Sequence, residues 1–156
     1  MSPKRPFASW LRPDGRGLYC VPGDFHIDPH AAVERAVITH GHSDHARPGH
    51  RAVLATADTI AIMKLRLGSM AGHELQALAY GEPLKIGNVT VRLMPAGHIL
   101  GSAQVVIEYD GQRAVVIPPK LRGVWKWNFL GIFRRGDSNE KEQIYGSADH
   151  VCAETG

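Results

Sequence analysis

The alternation of apolar and polar positions divides the chain into short strands interrupted by one helical stretch. Residues 17–21 form an apolar run that Pro22-Gly23 stops, and Phe25-His26-Ile27-Asp28 alternates before Pro29, so both predict short strands. The run 33–39, which ends in Ala36-Val37-Ile38-Thr39, predicts a buried strand, and 51–56 predicts another. Thr56 is a good N-cap, and Ile60, Met63 and Leu67 then recur at helical spacing until Gly68, which predicts a helix over 57–67 with its apolar stripe on a core. From residue 77 onward the pattern is that of strands. Residues 84–86, the pair Gly87-Asn88 and residues 89–94 read as one hairpin, and 103–109, Asp110-Gly111 and 113–117 as a second. A strand-helix alternation followed by hairpins predicts an α/β layered architecture. Residues 1–17, rich in Pro, Gly and Arg, read as an irregular lead-in.

Chemistry concentrates where the strand over 33–39 ends, in Thr39-His40-Gly41-His42-Ser43-Asp44-His45-Ala46. In an extended segment, side chains two apart point the same way, so His40 and His42 can present imidazole nitrogens to one point. Ser43 would cap a short helical turn starting at Asp44, which swings Asp44 and His45 towards a second point. Two neighbouring half-sites predict two metal ions. Imidazole and carboxylate suit zinc, iron or manganese, and with no thiolate in the cluster a structural zinc finger is disfavoured. The hairpins on either side of Pro95-Ala96-Gly97-His98 fix that histidine in space, as a ligand requires.

Composition adds limits. The chain of 156 residues is one domain's worth, and its 44% hydrophobic content fits a globular class. A net charge of +3 permits a nucleic-acid partner without arguing for one. Cys20 and Cys152 belong to no paired motif, so no disulfide framework is expected and a cytoplasmic location is the default. No stretch has the length and apolarity of a signal peptide or membrane span, and no membrane partner is expected.

His40-Gly41-His42-Ser43-Asp44-His45, with a distant His98 in Ala96-Gly97-His98-Ile99-Leu100-Gly101-Ser102, resembles the metallo-β-lactamase fold superfamily. The phrases Pro22-Gly23-Asp24-Phe25, Ile27-Asp28-Pro29, Ala46-Arg47-Pro48-Gly49-His50 and Gly101-Ser102-Ala103-Gln104 narrow the likeness to the bacterial ligase-associated DNA exonucleases, relatives of the β-CASP nucleases that process RNA 3′ ends. The resemblance implies the N-terminal half of an αββα sandwich over residues 1–117. It implies that His40, His42 and His98 hold one metal, that Asp44 and His45 belong to a second, and that Asp28 steadies the metal loop by hydrogen bonds without binding metal. The ions would be zinc or manganese, two in the family. The implied activity is phosphodiester hydrolysis on nucleic acid, DNA before RNA, in company with a DNA ligase system. Asp44 would help orient the attacking water, Ser102 would contact phosphate, and Arg47, His50 and Arg51 would steer the polyanion.

The pattern breaks after residue 117. Where the family has Gly-Asp, whose carboxylate bridges both metals, this chain runs from Ala114-Val115-Val116-Ile117 into Pro118-Pro119-Lys120. The second metal site, reduced to Asp44 and His45, is therefore expected to be weak, leaving one ion held by three histidines. Residues 118–156, with Trp125 and Trp127 and no clear period, read as a foreign continuation such as a frame slip or fusion gives, on a truncated catalytic half whose activity is in doubt. Asp137 or Asp149-His150 could in principle substitute for the missing ligands, although nothing in the sequence places them near the cluster. The competing functions are a superfamily hydrolase for a lactone, thioester or lactam, and a non-catalytic metal-binding remnant.

Overall fold

The computed structural model describes residues 7–118, 128–134, 146–147 and 150–151. Two sheets face each other. The first has six strands in sequence order, β1 (Leu11–Asp14), β2 (Gly17–Cys20), β3 (Phe25–Ile27), β4 (Arg35–Val37), β5 (Ala52–Ala55) and β6 (Glu74–Ala77). It is antiparallel from β1 to β3 and parallel from β3 to β6. The helix α1 (Ala57–Leu67) makes the crossover from β5 to β6. The second sheet is wholly antiparallel, with β7 (Leu84–Ile86), β8 (Val89–Pro95), β9 (Ala103–Tyr109), β10 (Gln112–Ile117) and β11 (Asn128–Arg134) in the spatial order β11-β10-β9-β8-β7.

Strand periodicity decides which side chain enters which layer. Val37 and Leu54, paired across β4 and β5, point between the sheets and join Val91, Leu93, Val105, Ile107, Ala114 and Val116 in one core. Their neighbours Ala36 and Val53 point the other way, onto Ile60 and Met63 of α1. The result is a helix-sheet-sheet stack, which agrees with the α/β layering read from the sequence and with a partial αββα sandwich. The sheets are also stitched by a polar contact, Trp10 Nε1 donating to Gln112 Oε1 at 2.7 Å in a buried setting.

Both predicted hairpins close as two-residue turns. In Gly87-Asn88 only the glycine has positive φ, as in a type II′ turn, and a Cβ there would meet Pro22 O at 2.6 Å. In Asp110-Gly111 both residues have positive φ (49° and 73°), the type I′ pattern.

Four expectations require correction. Residues 11–14, read as irregular, form β1. Asp14 Oδ1 accepts the N–H groups of Arg16 (2.7 Å) and Gly17 (3.1 Å), an Asx turn that starts the hairpin, and Pro13 is tolerated because β1 is an edge strand. The strand read over 33–39 is regular only at β4. No strand was expected at β6, an edge strand whose residues are mostly exposed and so carry no apolar signal. Finally, Ser43 does not start a helix at Asp44. The chain makes one turn that closes on His42 O, which accepts from His45 N (3.1 Å) and Ala46 N (2.7 Å).

Of the divergent segment, β11 extends the second sheet by pairing with β10, with a register shift between Ala114 and Val116. Trp125, Trp127, Asp137, Asp149 and Cys152 lie outside the described residues.

Candidate metal centre

The parallel strands β3, β4 and β5 release their loops at one end of the first sheet, and all the site chemistry lies there. Asp28 follows β3, the segment 39–45 follows β4, and Thr56 follows β5. The loop 96–102 between β8 and β9 joins them from the second sheet, because Ala103 N–H donates to Thr39 O at 2.7 Å and ties the start of β9 to the end of β4. The ends of parallel strands are the usual place for a ligand site in such sheets.

Three imidazoles converge. His40 Nε2 lies 3.1 Å from His42 Nδ1, and His98 Nε2 lies 3.3 Å from the same His42 nitrogen. All three ligand atoms fall within 4.8 Å of one another. Zinc takes imidazole nitrogens at about 2.0–2.1 Å in a tetrahedron, which sets neighbouring ligand atoms roughly 3.3 Å apart. The cluster therefore has the spacing of three corners of a cation site, and it opens outward: His40 is buried, His98 half-buried and His42 exposed. Asp28, His40 and His45 form a second, wholly buried group of possible donors.

The proton positions follow from Asp28. Its carboxylate, with a fully enclosed side chain, accepts from Thr39 N–H (2.7 Å), from the Thr39 hydroxyl and from His45 Nδ1 (2.8 Å). A hydroxyl has one proton, so Thr39 Oγ1, having given it to Asp28, receives from His40 Nδ1 at 2.8 Å. His40 Nδ1 thus carries the hydrogen, and the lone pair of Nε2 faces His42 and His98. The same carboxylate holds the proton on His45 Nδ1 and leaves Nε2 towards Asp44 Oδ2, 3.5 Å away. One buried acid selects the tautomer of two histidines, which is how outer groups orient metal ligands.

Burial lowers the His40 pKa to about 4, with repulsion from His45 adding to the effect, so its imidazole is neutral at physiological pH. His45 is also disfavoured as a cation by burial, but its hydrogen bond to Asp28 and that carboxylate's charge outweigh this and raise its pKa.

The other residues singled out in the sequence divide. Asp44 is beside the cluster with its side chain half exposed. Ser102 is buried, and its Oγ accepts from His98 N (3.1 Å) and Ile99 N (3.2 Å), so it folds the loop that presents His98; no open face is left for the phosphate contact expected of it. Arg47 is half-buried two residues beyond His45, its N–H donating to His45 O at 3.1 Å. Arg51, at the start of β5, stands at the far end of the sheet between Glu34 and Glu74 and is not brought to the cluster. Buried His50 accepts from Val33 N–H at 3.3 Å and packs under the loop. Cys20 is buried and its thiol is pushed up to about 12 by burial, an inert core position.

Sequence reasoning gave no role to Thr39, Tyr80 or Arg66. Thr39 had a signal, since it is the strand residue next to His40. Tyr80, whose hydroxyl donates to Ser102 O at 3.0 Å, and Arg66, whose Nη1 donates to Gly41 O at 2.7 Å, had none, because each reaches the site across the fold.

A helix-backed pair of facing sheets with a histidine cluster at the loop end defines a class. The chain has the metallo-β-lactamase fold. Its structure is similar to a HARLDQ-motif variant of a metallo-β-lactamase of Cronobacter sakazakii, with a TM-score of 0.50 and 16% identity over 71% of this chain and 55% of that one. In sequence it is 36% identical to a probable DNA ligase of Opitutus terrae, over 60% of this chain and 9% of that protein. It is 32% identical to a ribonuclease of Thermus thermophilus, over 58% of this chain and 26% of that protein. The chain thus spans less than a tenth of one relative and about a quarter of the other. No family model matches it. Among the described residues no helix is long and apolar enough to cross a membrane.

Proposed function

We propose that the chain is the metal-binding part of a phosphodiester hydrolase acting on nucleic acid, with His40, His42 and His98 as the ligands of one divalent cation. The observation that carries this reading is the convergence of His40 Nε2, His42 Nδ1 and His98 Nε2 at near-tetrahedral spacing, with His40 already in the tautomer that offers Nε2. Zinc suits three imidazoles, and manganese would draw more on the carboxylate of Asp44. When bound, such an ion would supply Lewis-acid stabilisation for charge developing on a phosphodiester and make water nucleophilic near neutral pH.

The chain's own contribution is position and proton traffic. Asp28 and Thr39 hold His40 in one tautomer, and Ser102 holds the loop behind His98. Asp44, half exposed beside the cluster, is placed to accept a proton from a water and aim it. Asp44 and His45 Nε2 supply what this chain has of a second metal position. Nucleic acid as substrate is supported by the names of the two sequence relatives, a probable DNA ligase and a ribonuclease, and DNA is favoured by the sequence phrases that resemble the ligase-associated exonuclease type. Residues 118–156 form, in this reading, a divergent segment outside the 1–117 catalytic part.

A second reading is favoured by one observation: β10 ends at Ile117 and passes into Pro118-Pro119 where a bridging carboxylate is expected, which suits a metal-binding remnant without turnover. Metal content of the full chain and cleavage of labelled DNA and RNA, each compared with His42→Ala and His98→Ala, separate the two. Metal-dependent cleavage lost in both variants supports the hydrolase; uptake of one ion without cleavage of any ester supports the remnant; no metal uptake by the unaltered chain ends both.

A further inference from the structure

The three histidines come from two loops on two different sheets, and α1 touches both. At its N-terminal end Thr56 Oγ1, which caps the helix by accepting from Thr59 N–H (3.3 Å), donates to Gly101 O at 2.7 Å, and Thr59 Oγ1 donates to the same carbonyl at 3.1 Å. Both threonines are buried, so these bonds are shielded from water. At the other end Arg66 Nη1 donates to Gly41 O at 2.7 Å, on the residue between His40 and His42. Gly41 itself rests on the helix: a Cβ there would lie 2.6 Å from Ile62 Cγ2. Seven residues of helix, roughly 10 Å, separate the Thr59 and Arg66 anchors.

We propose that α1 is a rigid spacer that sets the distance between His98 and the His40–His42 pair, with Thr56, Thr59 and Arg66 as positioning residues for the cation. This rests on the metal-centre reading above. The helix is stiff along its axis, so anchoring one loop carbonyl at each end fixes two loops that also meet through the bond from Ala103 to Thr39 and through the histidine rings themselves, with His98 Nε2 3.3 Å from His42 Nδ1.

The test uses the metal-stripped full chain. Thr59→Val keeps shape and removes a donor, Thr59→Ser keeps the hydroxyl, and Arg66→Met keeps the stem and removes the guanidinium. Chelator competition should give about 10-fold weaker zinc or manganese binding for Thr59→Val and for Arg66→Met, about 100-fold for the pair together, and unaltered binding for Thr59→Ser. Amide exchange on the metal-free protein should be faster at His98 and Ile99 in Thr59→Val and at His45 and Ala46 in Arg66→Met, with β9 and β10 amides unchanged. Wild-type affinity in the Val and Met variants overturns the spacer and leaves the metal reading standing. A wild-type chain that takes no metal overturns the metal reading, and the exchange pattern then decides the spacer alone, with unchanged loop exchange refuting it.

Discussion

Replacing Asp28 by Asn tests the tautomer argument at one atom. The backbone at Asp28 has φ 42°, which Asn adopts as readily as Asp, so the substitution changes charge and hydrogen-bond polarity without adding backbone strain. Asn Oδ1 can still accept from Thr39 N–H. The amide NH2 then stands where Oδ2 stood, facing the Thr39 hydroxyl and His45 Nδ1–H, two donors that both lose an ionised acceptor. Hydrogen bonds to a charged group contribute about 1.5–3 kcal/mol each, so a loss of about 3 kcal/mol is expected after partial rearrangement. For a domain of this size that lowers Tm by roughly 10 °C. The cheapest rearrangement turns the Thr39 hydroxyl to accept from Asn and donate to His40 Nδ1. His40 then carries its proton on Nε2, aimed at His42 and His98, and metal binding has to reverse that. A 10- to 100-fold loss of zinc affinity follows, of the size seen for outer partners of ligating histidines. The assay is chelator competition with thermal unfolding alongside, and 15N imidazole shifts of the metal-free chain to read the tautomer. Asp28→Asn with lowered Tm, unchanged affinity and His40 still protonated on Nδ1 would refute the reasoning.

Three further substitutions probe the surroundings. Gly41→Ala drives a methyl to 2.6 Å from Ile62 Cγ2 and should destabilise by about 1–3 kcal/mol in urea unfolding, with the loss largely recovered in the double variant with Ile62→Ala; no recovery would locate the strain elsewhere. His50 has its pKa lowered by burial, so its unfolded form binds protons first as pH falls. Its stabilising contribution is complete above the unfolded value of 6.5 and is lost below it, down to the lowered folded value, and His50→Asn, which keeps an acceptor for Val33 N–H, should flatten that slope below pH 6.5 in equilibrium unfolding. Trp10→Phe leaves Gln112 Oε1 buried without the 2.7 Å bond that joins the sheets and should lose about 1–3 kcal/mol, whereas the double variant with Gln112→Leu should recover part of it.

The sequence made the site legible to the extent that its chemistry is local. His40, His42, Asp44 and His45 lie within six residues, and the pattern of a strand ending in alternate histidines needs no tertiary information to suggest a shared point. The hairpins were legible for the same reason, since Gly87-Asn88 and Asp110-Gly111 encode their turns in the residues themselves. What stayed hidden is held by polar contacts between distant segments. Arg66 lies 25 residues from the carbonyl it binds and Tyr80 lies 22 from Ser102. Neither has a spacing that repeats, and an exposed arginine on a helix looks the same in sequence whether or not a loop carbonyl is within reach. Ser102 shows the converse error. A serine after Gly101 near a metal loop suggests a phosphate contact, but the adjacent N–H groups of His98 and Ile99 in its own loop need an acceptor, and its hydroxyl oxygen is committed to them. β1 and β6 escaped because edge strands expose most of their residues and lose the period that reveals central strands. A metal site of this kind therefore advertises its ligands and conceals its supports. The ligands must be of particular types, whereas any donor of suitable length that the fold brings alongside can serve as a support.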